Sequence, residues 1–388
     1  MRQPLDGLPR RILDIEVNGI CEIADMGRDD PEVIKLWIGE GDLPTASFVT
    51  EAAIAALREG HTRYSYALGL PRLRRALADY HKRHWGVDIP HDRFSVTVGG
   101  MNAIMQAMQA VLEPGDEVLH PSPAWPNLAE VVRINNGAPV PVPFDRDGDG
   151  RPHLDLDTLF AAVTPRTRVI AINSPSNPTG WIMPKADMAR LVAFARERGL
   201  WILSDEVYNH FTYGNAIAPS FLELTTPDDR LIVTNTFSKN WAMTGWRAGW
   251  LVYPRGMDAV FDNLSQYNTT SIPTFIQHAA VAALDEGDGF IRQMVGRCAE
   301  SRRIFLDGLS ALPGVRVSVP DGAFYMLFAL DAEPDARAAA VRLLKEARVG
   351  VAPGTAFGPD GAGWMRLCFA VSPDLARDAV ARLTRLLQ

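Results

Sequence analysis

Asn235-Thr-Phe-Ser-Lys239-Asn-Trp-Ala-Met-Thr-Gly-Trp-Arg247 places a primary amine shortly before a guanidinium, among the aromatics Phe237, Trp241 and Trp246. An amine attacks a carbonyl only when deprotonated, so a lysine that does covalent chemistry must be desolvated or set near positive charge. Arg247 and the three aromatics are the candidates to supply that environment. Arginine also forks onto phosphate and carboxylate. The stretch therefore asks for a cofactor carrying both a carbonyl and an anionic group, and pyridoxal phosphate is the first to test. A lone lysine is most often a solvated surface residue, so the reading depends on what the rest of the chain adds.

Two apolar runs end in groups that suit such a cofactor. Leu200-Trp-Ile-Leu203 reads as a buried strand and runs into Ser204-Asp205-Glu206-Val207-Tyr208, which sets Asp205 at a strand's carboxyl end. Open α/β sheets bind ligands beyond those ends, and a pyridinium nitrogen needs a carboxylate partner to stay protonated. Asp205 is the candidate partner, although an aspartate after a strand also caps helices. Thr167-Arg-Val-Ile-Ala-Ile172 is a second strand, leading into Asn173-Ser-Pro-Ser-Asn177-Pro178-Thr179-Gly180. Asn177 can donate to a phenolate oxygen, though Asn-Pro-Thr-Gly alone is a common turn. Phe94-Ser-Val-Thr-Val98 leads into Gly99-Gly100-Met101-Asn102-Ala103 and a helical pattern through Leu112. Exposed amides at a helix start bind phosphate. With Arg247 and the hydroxyls of Thr236 and Ser238 they make a candidate phosphate cup, without the spaced glycines of dinucleotide folds.

Together these segments resemble the class I aminotransferase family, the aspartate aminotransferase-like group of fold type I pyridoxal phosphate enzymes, over nearly the whole chain. Ile38-Gly39-Glu40-Gly41-Asp42 resembles the family's early glycine turn. Tyr64, in Thr62-Arg-Tyr-Ser-Tyr-Ala-Leu-Gly69, resembles its Tyr-and-Gly segment ahead of a helix, and Trp364-Met-Arg366-Leu-Cys-Phe-Ala370 its carboxylate-binding arginine. The resemblance implies an α/β fold: a large domain over residues 45–284, with a central, mostly parallel sheet flanked by helices, and a smaller α+β domain from 1–44 and 285–388. Strand-like runs alternating with helical patterns between Thr45 and Leu284 accord with βαβ units.

The resemblance also implies roles. Lys239 would form the Schiff base with pyridoxal phosphate and then move the proton between the substrate α-carbon and the cofactor. Asp205 would pair with the ring nitrogen, Asn177 and Tyr208 with the ring hydroxyl, and Trp125 would stack on the ring face. Gly100, Met101, Thr236, Ser238 and Arg247 would hold the phosphate, joined by Tyr64 from the neighbouring subunit of a homodimer. Arg366 would fork onto the substrate α-carboxylate, which Lys cannot reproduce. Gly39, Trp125 and Asn177 would line the substrate's approach. Ser122-Pro123 and Asn177-Pro178 match positions that the family often holds in cis. The implied reaction is a ping-pong exchange of an amino group between an L-amino acid and a 2-oxo acid, with 2-oxoglutarate as acceptor by family habit. C–S β-elimination or decarboxylation on the same fold, a non-catalytic cofactor-binding protein, and a phosphate-binding α/β protein are the alternatives.

Across 388 residues the chain is 47% hydrophobic and 22% charged, with a formal net charge of -7, which disfavours nucleic acid as a partner. Met-Arg-Gln-Pro-Leu-Asp at the start lacks an apolar signal core, no run has the length of a membrane span, and Cys21, Cys298 and Cys368 lack Cys-x-x-Cys spacing. A cytoplasmic enzyme free of membranes is expected. Asp145-Arg-Asp147-Gly-Asp149-Gly150 imitates a calcium loop, but Leu156 stands where a bidentate Glu is required. His81 and His84 share a helix without a third ligand, so surface or partly buried packing is expected rather than metal. Met101 adds no charge beside the cup and no distal cation can be assigned. This favours neutral, sulfur-containing or aromatic substrates, unless Arg292 or Arg297 of another subunit intervenes.

Overall fold

A strand sandwiched between two helical layers is apolar on both faces, and the runs ending near Asn173, Asp205 and Thr236 have that character. The computed structural model describes residues 7–146, 150–214 and 217–388. Seven strands, β1 (Phe94–Thr97), β2 (Glu117–Ser122), β3 (Ala138–Pro143), β4 (Thr167–Asn173), β5 (Trp201–Asp205), β6 (Leu231–Thr236) and β7 (Gly249–Val252), form one sheet in the order β1-β7-β6-β5-β4-β2-β3. Pairing is parallel except at β7, which runs antiparallel to both β6 and β1.

Alternation along the strands feeds two cores. Ile170, Ile172, Ile202 and Val233 pack with the helices Pro71–Trp85, Lys185–Arg198 and Thr274–Glu286. Val169, Ala171, Leu203 and Ile232 pack with Gly99–Val111 and Pro126–Ile134 on the opposite face. Burying one such side chain contributes roughly 1.5–3 kcal/mol. The stripe Leu73, Leu77 and Tyr80 of the helix Pro71–Trp85 faces inward, as its spacing predicts. His81 continues that stripe and is fully buried, deeper than its expected surface or partial burial. Its ring meets Trp250 Nε1 at 3.3 Å, and burial pushes the imidazole down to about 3.

A second, antiparallel sheet contains β8 (Val315–Val317), β9 (Tyr325–Leu330), β10 (Ala352–Pro353) and β11 (Met365–Cys368), in the order β8-β9-β11-β10. The helices Asp288–Ser310 and Pro373–Leu387 cover it around a core containing Phe305, Phe328 and Leu383. Near the start of the chain, the helix Gly19–Gly27 packs on Trp37, Leu344 and Phe357. The three cysteines are free thiols. Among the described residues no helix is long and apolar enough to cross a membrane. Asp147 and Asp149 of the calcium-like stretch, and the first six residues, lie outside the described residues.

Candidate active site

The parallel sheet sets several polar residues along one edge, because β4, β5 and β6 share a direction and end together. β6 stops at Thr236, whose hydroxyl accepts from Ser238 N at 3.1 Å and caps a single helical turn, Phe237–Asn240. That turn sends Phe237 and Asn240 into the core and Lys239 into a cleft. Lys239 Nζ donates to the Gly39 carbonyl at 2.6 Å and lies 5.9 Å and 6.0 Å from the ring centres of Tyr208 and Phe324. Burial brings its amine down to about 8; Cys368 and Glu40 oppose that shift, while Arg366 and Arg247 add to it.

The apolar surroundings of Lys239 differ from those expected. Phe237 and Trp241 turn away to pack on Trp250, and Trp246 joins the edge of the same core. Residues two apart on a helical turn face different sides, so Tyr208 and Phe324, distant in sequence, take the place assigned to those aromatics.

Asp205 closes β5 at 8% exposure. Its Oδ1 accepts from the Thr234 hydroxyl at 3.2 Å and its Oδ2 from Asn173 Nδ2 at 3.1 Å. Burial pushes its carboxyl up to about 7, against the pull of the Thr234 hydroxyl and Lys239. Asn173 also accepts from the Asn177 amide at 2.8 Å, which fixes the loop after β4. The Ser122–Pro123, Ser174–Pro175 and Asn177–Pro178 bonds are cis, the first and last being the two singled out from the sequence.

Arg366 lies in the middle of β11 at 1% exposure. It donates through Nη1 to Asn177 Oδ1 at 3.2 Å and through Nη2 to the Trp37 carbonyl. The rings of Tyr325 and Phe357 stand 4.6 Å and 4.9 Å from its Cζ, and its Nε has no hydrogen-bond partner among the described residues. Tyr325 Oη and Tyr208 Oη are 2.8 Å apart. A Cβ on Gly39 would come within 1.9 Å of Tyr325 Oη, so only glycine fits there.

Arg247 is exposed, adopts a left-handed conformation with φ 55°, and donates to the Thr244 carbonyl at 2.8 Å. Gly99 opens the helix Gly99–Val111 at φ +76°, where a Cβ would strike Arg247 Nη2 at 2.6 Å. The glycine thus lets the guanidinium lie beside the first turn of that helix, an arrangement suited to phosphate.

Gly39, Gly100, Met101, Trp125, Asn177 and Asp205, with Tyr208, Thr236, Ser238, Lys239, Arg247 and Arg366, line one cavity of about 340 Å³. Tyr64 stands apart from it, 92% exposed. Asn173, Thr234 and Tyr325 carry no assignment from the sequence although they brace this cleft. Asn173 lay inside the loop that yielded Asn177, whereas Tyr325 sits in the apolar run Ala323-Phe-Tyr-Met-Leu-Phe328 and looks like core.

A mostly parallel sheet and a second, antiparallel one bring a lysine amine, a buried carboxylate and two arginines to one cleft, the layout of an α/β enzyme. Over residues 31–383 the chain matches the family model described as aminotransferase class I and II, and it belongs to that family. It is 34% identical over 385 residues to an aspartate aminotransferase of Pyrococcus horikoshii, covering 98% of this chain and 97% of that one. Over 384 residues it is 35% identical to aromatic-amino-acid aminotransferase 2 of Thermococcus litoralis, covering 98% of each. The solved structure of aspartate aminotransferase from Thermus thermophilus with maleate is similar at a TM-score of 0.90 and 35% identity, over 100% of each chain. The chain is an aminotransferase of fold type I, as the resemblance implied.

Proposed function

We propose that this aminotransferase holds pyridoxal 5'-phosphate on Lys239 and moves an amino group from an L-amino acid to a 2-oxo acid, with 2-oxoglutarate as the acceptor. The observation that carries the reading is Lys239, its amine brought down to about 8, opening on the same cavity as buried Asp205 and Arg366. The residues present fit the cofactor: Gly99 leaves room for Arg247 at the helix start, and Arg366 Nε remains open for a carboxylate. When bound, pyridoxal phosphate supplies a carbonyl for the amino group and a ring that accepts the electrons left on the α-carbon.

The chain's own residues do the rest. Arg366 orients the α-carboxylate, with Asn177 and the Trp37 carbonyl steadying its guanidinium. Lys239 Nζ takes the α-proton and returns it as general base and acid, held on the side of the Gly39 carbonyl. Asp205 stays ionised against a protonated ring nitrogen, because an opposite charge lowers a carboxyl that burial alone raises. Asn173 and Thr234 fix its two oxygens. Asn177, whose Oδ1 already accepts from Arg366, keeps its amide NH2 for the ring hydroxyl beside Tyr208. Trp125 covers the ring face; Gly100, Met101, Thr236, Ser238 and Arg247 take the phosphate.

We place the enzyme in the cytoplasm as a homodimer that shares its sites, with 45–284 as the cofactor domain and 1–44 with 285–388 as the smaller one. Free thiols support the compartment. Support for the dimer comes from three aromatics, Tyr64, Tyr66 and Tyr267, exposed by 92%, 62% and 88%. Borohydride reduction of the reconstituted protein tests the cofactor assignment: a phosphopyridoxyl mass on the peptide holding Lys239 supports it, and labelling elsewhere or nowhere removes it. Mixing Tyr64→Ala and Lys239→Ala chains tests site sharing, since restored activity requires one intact composite site.

A further inference from the structure

We propose that the cleft selects amino acids with neutral, apolar side chains, and that Met101 with Asn127 forms the wall that reads the side chain's far end. The inference rests on the function proposed above, which commits each positive group of the cleft. Lys239 is the reacting amine, Arg247 meets the phosphate and Arg366 the α-carboxylate. Among the described residues lining the cavity, these three are the only lysines and arginines.

The wall beyond them is apolar: Ile20, Ile38, Met101, Ile104 and Trp125, with Asn127 among them. Ile38 lines the cavity while 46% exposed, an apolar surface that a substrate side chain would cover. Asn127 Nδ2 donates to the Met101 thioether at 3.6 Å, so one of its two N–H groups is engaged by sulfur. The helix Gly19–Gly27 reaches the same cavity with its N-terminus, but Asn18 Oδ1 already accepts from Ile20 N and Cys21 N at 3.0 Å and 3.4 Å. Two of that helix end's amides are thereby already engaged. Arg297 Nη2 donates to both carboxylate oxygens of Asp42, at 2.8 Å and 2.9 Å. On this chain's side of the cleft, a carboxylate at the end of a substrate side chain would therefore meet thioether and hydrocarbon without a counter-charge, which strongly disfavours it. A thioether, branched aliphatic or aromatic side chain meets surface of its own kind.

The test is the half-reaction of the full-length, cofactor-loaded enzyme with L-methionine, L-leucine, L-phenylalanine, L-aspartate and L-glutamate, one at a time. The best neutral amino acid is expected to exceed both acids by about a hundredfold in kcat/KM, as buried polar mismatch allows. Met101→Lys should raise the aspartate-to-methionine ratio by at least about tenfold, a ratio taken within one preparation so that any change in cofactor loading cancels. A wild-type enzyme that prefers aspartate or glutamate overturns the inference, as does a Met101→Lys variant with an unmoved ratio. Competition in the wild type is independent of any variant: 4-methylpentanoate should inhibit at lower concentration than succinate, and the reverse order also overturns it. A protein inert toward every amino acid would instead break the underlying function.

Discussion

The two sheets bring polar groups to one cleft in different ways. On the seven-stranded sheet the groups stand at strand ends and brace one another. Asp205 is held by Asn173 and Thr234, Thr236 caps the turn that carries Lys239, and Asn173 also ties the Asn177 loop. On the four-stranded sheet Arg366 projects from mid-strand, enclosed by Tyr325 and Phe357, with no hydrogen-bond partner for Nε among the described residues. Braced groups suit a resident cofactor that must not shift between turnovers. A buried guanidinium with one open donor suits a visitor that arrives with its own negative charge and leaves again.

If that division holds, substitutions at the first sheet should destroy chemistry and those at the second should weaken substrate capture. Lys239→Ala should lower the single-turnover rate with an amino acid by about a thousandfold or more, because it removes the proton-transferring group along with the covalent anchor. Asp205→Asn comes next, at about a hundred- to a thousandfold in kcat, the range of a preorganised electrostatic partner. Its Nδ2 would also face one of the two donors that Asp205 now accepts from, Asn173 Nδ2 or the Thr234 hydroxyl, so a rate within a few-fold of wild type would deny Asp205 its role. Arg366→Lys keeps the charge and loses the fork, and should cost about ten- to a hundredfold in kcat/KM. Borohydride labelling of Lys239 should survive it. Loss of labelling in Arg366→Lys would break the division between the sheets.

Titration sharpens the same comparison. The Lys239 amine sits at about 8, below its ordinary 10.5, and only its neutral form attacks a carbonyl. Capture of added pyridoxal phosphate by the cofactor-free protein should rise with pH and level off above about 8, falling about tenfold for each unit below it. A rate still climbing toward 10.5 would show that burial does not act on this amine. Arg366 is one of the charges that depress it, so Arg366→Leu should move the midpoint upward, the one effect on the covalent step expected from the second sheet.

These contrasts also explain what could be read without the fold. Asp205 and Asn177 follow apolar strand runs, and a polar residue at the end of such a run is visible in one dimension, whereas Lys239 is marked by the guanidinium of Arg247 eight residues on. The brace between Asn173 and Asp205 depends on the parallel register that sets those two residues opposite each other across β4 and β5, which local pattern does not encode. Tyr208 and Phe324 come to Lys239 from distant segments, so the nearer Phe237, Trp241 and Trp246 were the natural but mistaken choice. Tyr325 was hidden for a different reason: an aromatic in a fully buried strand carries no mark of its hydroxyl's position. Arg366, also mid-strand, was legible only through the family's pattern around it.

Tyr208 and Tyr325 join the two sheets, their hydroxyls 2.8 Å apart, and this contact should give the smallest effect. Tyr208→Phe removes a donor to the ring hydroxyl that Asn177 also serves, so a few-fold loss in kcat is expected. Tyr325→Phe leaves the ring over Arg366 and removes only the hydroxyl that orients Tyr208. It should act through Tyr208 and not through substrate affinity. A double-mutant cycle reads this directly: the paired variant should be no worse than Tyr208→Phe alone, with a coupling of about 1 kcal/mol. Additive losses, or a Tyr325→Phe effect confined to KM, would mean that the hydroxyl serves the substrate instead, and that the second sheet reaches the reaction without passing through the first.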